Sequence, residues 1–228
     1  MKIIGHEPSS FIDYPDKICT VYFVGGCNFR CPYCHNSHLV MGQGDTIDEE
    51  VIEQFLKKRK RFIDGVCVSG GEPTLYHDLR DFLRKIKSMG LLVKLDTNGT
   101  NPQMLESLIA DELVDYIAMD LKAPLHKYEA VTKAKVNIDD IKESIRIIRA
   151  AGIDYEFRTT VCKELLTKAD IVEIADTIKG SRCYTLQNFR DGETVLAGSN
   201  QLHPFSTEML KELEAEIRSH FKLFRIKT

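Results

Sequence analysis

Cys27, Cys31 and Cys34 fall within one eight-residue run, Cys27-Asn28-Phe29-Arg30-Cys31-Pro32-Tyr33-Cys34, with an aromatic residue just before the last cysteine. Thiolates this close in sequence cannot all turn into a core. Gathered on one loop they repel each other until a cation or a cluster neutralises them. Their number is informative too. Structural tetrahedral sites usually fill all four positions, and three thiolates leave one open. An iron–sulfur cluster in which one iron lacks a protein thiolate, and so can bind a substrate, is the sharper reading. A zinc site completed by His35 or His38 is the alternative.

The other four cysteines, Cys19, Cys67, Cys162 and Cys183, lie singly within or beside apolar stretches and read as small buried residues. Seven cysteines without a secretion signal argue against a disulfide framework. The 228 residues suit one domain, 1–228, with 43% hydrophobic and 29% charged residues, ordinary for a globular protein. A net charge of −3 makes no case for nucleic acid or an anionic membrane as partner. No apolar run is long enough to span a bilayer, and the expected location is the cytoplasm.

A loop of thiols needs a scaffold. Apolar runs of strand length, at 18–24, 65–69, 91–95, 116–119, 155–161 and 183–186, alternate with segments of helical period. The helical faces are Ile47, Val51, Phe55 and Leu56; Leu79, Phe82, Leu83 and Ile86; Leu105, Leu108 and Ile109; Ile138, Ile141, Ile145 and Ile148; Ile171, Ile174 and Ile178; and Leu210, Leu213, Ile217 and Phe221. Six β-α units predict parallel strands with helical crossovers. Nearly every strand ends in polar residues or glycine: the cysteine loop, Gly70-Gly71-Glu72-Pro73, Asp96-Thr97-Asn98-Gly99, Asp120-Leu121-Lys122, Arg158 with its threonines, and Gln187-Asn188. Six strand ends converging on one mouth is how a β/α barrel builds a site, so the expected fold is α/β, a partial (β/α)6 TIM-like barrel of parallel strands with outer helices.

Each of these segments has a plain structural reading. Gly70-Gly71-Glu72-Pro73 makes a tight turn before a helix. Paired glycines also let backbone approach a ligand, and a β-branched residue at Gly71 is expected to block that approach while leaving a cluster in place. Aspartate or asparagine next to glycine makes turns. Arg158, within a β-branched strand, needs a partner, because an unpaired buried charge is costly.

Taken together, the cysteine run, the glycine pair one strand later and the two aspartate segments resemble the radical S-adenosylmethionine (SAM) superfamily and its glycyl-radical-enzyme activases. The resemblance implies a [4Fe–4S] cluster on Cys27, Cys31 and Cys34, with SAM chelating the fourth iron. It implies a SAM pocket from Tyr33, Gly70, Gly71, Glu72, Pro73, Asp96, Asn98, Leu121, Lys122, Ala123, Arg158, Gln187 and Asn188. It also implies a monovalent cation at Asp96, Thr97 and Asp120. Related activases often carry histidine where Gln187 and Asn188 stand. No side chain is expected to act as an acid or base, since cluster and SAM carry the chemistry. Asp13-Tyr14-Pro15, followed by the block from Cys27 to Asn36, resembles the activating proteins of anaerobic ribonucleoside-triphosphate reductase. The implied partners are that glycyl radical enzyme and a flavodoxin- or ferredoxin-type electron donor. A radical SAM enzyme acting on a small molecule, of the 7-carboxy-7-deazaguanine synthase type, and a non-catalytic metal-binding module are the rival readings.

Overall fold

The computed structural model describes residues 1–228. Eight strands form one sheet in chain order: β1 (Ile3–Ser10), β2 (Cys19–Val24), β3 (Gly65–Gly70), β4 (Leu92–Thr97), β5 (Tyr116–Asp120), β6 (Asp154–Val161), β7 (Cys183–Asn188) and β8 (Leu223–Lys227). Strands β2 to β8 pair in parallel, and β1 pairs antiparallel with β2. The six expected strands are all present, within a residue or two. Two more flank them, so the parallel array has seven strands and an antiparallel edge. No pairing joins β1 to β8, and the sheet is a partial barrel left open.

The helices are α1 (Ser37–Val40), α2 (Glu49–Arg59), α3 (Leu79–Ser88), α4 (Pro102–Ala110), α5 (Tyr128–Thr132), α6 (Ile138–Ala150), α7 (Lys168–Thr177) and α8 (Thr207–Ile217). Local chemistry fixes their starts. Asn101 accepts the Met104 N–H ahead of Pro102, and Ser206 accepts that of Met209. Thr167 and Asp170 form a reciprocal capping box. The apolar stripes of α3, α6, α7 and α8 are buried as their spacing predicts, with Ile138 at the start of α6 half-buried. Helix α2 differs: Ile52 and Leu56 face the core and Val51 is exposed. With Asp48 as its N-cap, Ile47 lies outside the helix and the stripe rotates by one residue.

Strand alternation sorts side chains into two sets. Tyr22, Val66, Val68, Val93, Leu95, Ile117, Met119, Phe157 and Leu186 face the helices in the main core. Cys19, Val21, Cys67, Tyr116 and Ala118 face into the curve of the sheet and form a second, smaller core closed by Tyr14. Lys94 stands on this face level with Cys67 and Tyr116, and climbing the same positions towards the strand C-termini leads to Asp96, Asp120, Arg158 and Gln187. The lumen changes from apolar to charged along its own length.

Candidate cofactor site at the strand ends

The cysteine loop leaves β2 through Gly25 and Gly26 and is pinned on three sides. The Arg30 backbone N–H donates to the Thr132 carbonyl at 2.8 Å, and its guanidinium donates back to the carbonyls of Cys27 (2.5 Å) and Phe29 (2.7 Å). Phe29 is buried as a wedge beside Tyr128. On the outer side, Leu196 and Ala197 donate to the carbonyls of Cys34 and Pro32, both at 2.9 Å, strapping the segment after β7 across the loop. The Cys27 Sγ accepts the Phe29 N–H at 3.3 Å.

All three thiols line one cavity of about 250 Å3 at the strand C-termini. The cavity wall also holds Tyr33, His35, Gly70, Gly71, Glu72, Asp96, Thr97, Asn98, Asp120, Lys122, Arg158 and Gln187, most of the expected site. Pro73, Leu121 and Ala123 are buried and stand outside the wall. So does Asn188, whose side-chain amide donates to the Phe205 carbonyl (3.0 Å) and accepts the Phe205 N–H (2.9 Å). Asp13 accepts a hydrogen bond from Ser10 at 2.6 Å, and Tyr14 packs on Tyr116 with ring centroids 5.8 Å apart, at the opposite end of the lumen. The Asp13-Tyr14-Pro15 segment is thus part of the barrel floor, away from the cavity.

The donor set fits an iron–sulfur cluster. Burial pushes the Cys27 thiol up to about 11 and raises that of Cys31, so both stay protonated until a metal drives the protons off. No three His, Cys, Asp or Glu side chains converge on a point that would hold one ion. A single zinc would draw three sulfurs to within about 4 Å of each other; a cubane takes each sulfur on a different iron. His38, one suggested fourth zinc ligand, is exposed on α1, and His35 lies against Phe189.

The glycine pair is explained by packing. In register, Val24 lies beside Gly70, and Gly71 N–H donates to the Val24 carbonyl at 2.8 Å. A Cβ on Gly71 would lie 1.9 Å from the Gly26 carbonyl oxygen, and one on Gly70 would lie 2.6 Å from the Val24 backbone. The close approach is between β3 and the root of the cysteine loop, so a β-branched residue at Gly71 disturbs the loop itself. On this packing, loss of the cluster as well as of SAM is the expected effect of such a change. Glu72 is fully buried, and its carboxylate accepts from Thr74 N–H (3.0 Å), Thr74 Oγ1 (2.5 Å), Thr97 Oγ1 (2.9 Å) and Asn98 N–H (2.6 Å). Burial pushes this carboxyl up while those donors pull it back. Glu72 is a strut that ties the β3 turn to the β4 turn.

Asn98 completes the tie. Its amide donates to Asn28 Oδ1 at 2.7 Å and accepts from the Thr100 N–H at 3.1 Å, while Asn28 donates to Thr100 Oγ1 at 2.9 Å. The turn after β4 therefore holds the cysteine loop through Asn28.

Below this rim runs a ladder of alternating charge. Arg158 donates to Asp120 at 2.8 Å and to Asp96 at 3.2 Å. Lys122 donates to the far side of Asp120 at 3.1 Å, and Lys94 pairs with the far side of Asp96. Ser69 adds a hydrogen bond to Asp96 at 2.9 Å. Burial pushes both carboxyls up, but Arg158 with Lys94 holds Asp96 below the usual carboxylate range, and Arg158 with Lys122 holds Asp120 well below it. Burial lowers Arg158 and Lys122, and the aspartates more than restore them, so all these groups stay charged. Sequence reasoning missed Lys94, Asn28 and the Leu196–Ala197 strap. The signal for Lys94 was present in the alternation, since it shares the face of Asp96 two residues on.

Over residues 21–178 the chain matches the Radical SAM superfamily, and it belongs to that superfamily. Its relatives include a Methanocaldococcus jannaschii protein provisionally named a glycyl-radical enzyme activating enzyme, 39% identical over 82% of this chain and 79% of that one. The pyruvate formate-lyase-activating enzyme of Clostridium pasteurianum is 30% identical over 79% of this chain and 77% of its own. Among solved structures, Streptococcus suis SuiB bound to its precursor peptide SuiA superposes with a TM-score of 0.71 at 16% identity. That match covers 91% of this chain and 48% of SuiB, so the chain spans about half of SuiB and shares its fold.

Proposed function

We propose that this chain is a radical SAM activase that generates a glycyl radical on a partner protein. The observation that carries the reading is the likeness, over about four-fifths of both chains, to the two proteins named as activating enzymes. When bound, a [4Fe–4S] cluster and SAM supply one-electron reductive cleavage and a carbon radical able to take a hydrogen atom from a glycine Cα.

The chain's own residues do the rest. Cys27, Cys31 and Cys34 hold the cluster in a loop braced by Arg30, Asn28 and the strap. Backbone of the Gly70–Glu72 turn, which lines the cavity, would meet the SAM amino group. The two ladder cations that line the cavity, Arg158 and Lys122, would meet its carboxylate, and Tyr33, Asn98 and Gln187 complete the wall. Burial of this charged wall keeps the pocket ordered and dry. A sheet whose edges do not meet leaves a lateral opening, which suits an incoming protein loop. The finer assignment is an anaerobic ribonucleoside-triphosphate reductase as partner, a flavodoxin- or ferredoxin-type protein as electron donor and a cytoplasmic setting. It rests on the resemblance of the block from Cys27 to Asn36, since Asp13-Tyr14-Pro15 has a structural duty at the floor.

The test is electron paramagnetic resonance of an anaerobic mixture of reconstituted enzyme, reductant, SAM and a candidate reductase. The expected result is a persistent glycyl radical on the reductase and faster 5′-deoxyadenosine formation than without it. SAM turnover that ignores every glycyl radical enzyme but responds to a small molecule rejects the activase reading.

A further inference from the structure

The two lumen aspartates, which the resemblance marks for a monovalent cation, are already engaged by fixed cations of the protein. Arg158 spans Asp96 and Asp120, and Lys94 closes the other side of Asp96. Lys94 is 1% exposed, buried midway along β4 with its ammonium 3.8 Å from Cys67 Sγ and 5.8 Å from the centre of the Tyr116 ring. A lysine in so enclosed a position is retained only with a partner, and Asp96 is its one carboxylate. Glu156, also buried on β6, is level with Asp96 in the register, lends its charge to Arg158 and accepts a hydrogen bond from Thr185 at 2.9 Å. Both oxygens of Asp96 already receive a cationic donor, from Lys94 and Arg158, and both oxygens of Asp120 do so from Arg158 and Lys122. A further cation placed at Asp96 and Asp120 would sit among like charges.

We propose that Lys94 and Arg158 take the place of a monovalent cation in this chain, so that SAM binding needs no potassium or sodium. Lys94 acts as a positioning residue. It holds Asp96 turned towards Arg158, and thereby leaves the guanidinium and Lys122 set to meet the SAM carboxylate. The inference rests on SAM binding alone and is independent of which partner protein is activated.

SAM affinity of the cluster-loaded wild-type protein is to be titrated anaerobically in tetramethylammonium chloride, then in potassium or sodium chloride at equal ionic strength. The expected dissociation constants agree within about twofold. Tenfold or greater tightening by potassium or sodium overturns the proposal, and this arm needs no variant. The second arm is Lys94→Met, which keeps the apolar stem and removes the charge. In tetramethylammonium its SAM affinity should fall by about tenfold or more, the scale of a lost charged hydrogen bond. Potassium or sodium should restore much of it, because Asp96 then has a vacancy to fill. Sodium-23 line broadening on SAM addition should appear in the variant and not in wild type. This readout registers the ion itself, so a merely structural role for Lys94 would not produce it. An unchanged affinity in the variant, or sodium broadening in wild type, overturns the assignment.

Discussion

The floor and the mouth of the lumen are built by the same strands and do opposite things. At the floor, Cys19, Cys67, Tyr116 and Cys183 present thiols and an aromatic ring, and Tyr14 seals them. Lys94 stands in that same layer, beside Cys67 and Tyr116, and two to four residues further along the inward positions become Asp96, Asp120 and Arg158. Four cysteines are buried in the floor and outer core, and the three that we propose for ligation lie on a loop above the mouth. A cysteine's duty in this fold is set by its height along the strand and by whether a loop frees it from the ladder. The floor supplies rigidity by dry packing, while the mouth spends part of that stability on keeping five charges out of water.

Variants can break that contrast, beginning where the effect is greatest. Cys27→Ala, Cys31→Ala or Cys34→Ala should each abolish cluster assembly and SAM cleavage. Cys19, Cys67, Cys162 and Cys183 changed singly to serine or alanine should retain full iron content. Iron and acid-labile sulfide analysis checks this, and full iron in Cys31→Ala would sink the division. Gly71→Val comes next. With a Cβ position 1.9 Å from the Gly26 carbonyl, it should displace the cysteine loop and lower cluster occupancy together with SAM affinity. Retained iron with lost SAM binding would instead mean that the glycine serves the ligand directly.

Tyr14→Ala tests the floor. Removing this buried ring should destabilise the protein by about 3 kcal/mol in urea unfolding while leaving SAM affinity within about twofold. A large loss of affinity would show that floor and mouth are not separable. Asp120→Asn is the smallest change. Asp96 and Asp120 are depressed in the folded state, so their stabilisation is present above the unfolded carboxylate value and is lost as pH falls below about 4. The amide keeps one acceptor oxygen, so the variant should lose about 2 kcal/mol near neutral pH, the scale of a charged hydrogen bond, and show a shallower decline on acidification. Tyr14→Phe should leave that slope unaltered, since its phenol, raised further by burial, stays protonated throughout.

The six central strands were legible because each is a short run of β-branched and apolar residues between turn signals. Strand β1 was not. Ile3-Ile4-Gly5-His6-Glu7-Pro8 holds glycine and proline and has no period, and only its edge position tolerates them. Strand β8, Leu223-Phe224-Arg225-Ile226-Lys227, alternates openly, but it follows the last helix and carries no residue of the mouth. At the site, spacing along the chain exposed the cysteines and the strand-end motifs. It could not reveal that Glu72 points into protein, that Asn28 reaches Asn98 and Thr100, or that Lys94 faces inward. Those facts depend on the inter-strand register and on which side of the sheet is enclosed. Asp13-Tyr14-Pro15 is the instructive case, a segment that resembles a marker of partner choice and whose Tyr14 also seals the floor.

The strap from Leu196 and Ala197 to the Cys34 and Pro32 carbonyls has a consequence for biosynthesis. The cysteine loop emerges from the ribosome early, and the residues that wall its outer side are made only after β7. A nascent chain therefore passes through a period in which these cysteines lack the strap. Leu196→Pro, which removes one latch donor, should prolong that period. The released apoprotein should take up iron and sulfide faster than wild type and lose them faster to a chelator, while identical uptake and loss rates would show that the latch plays no part in metal trafficking.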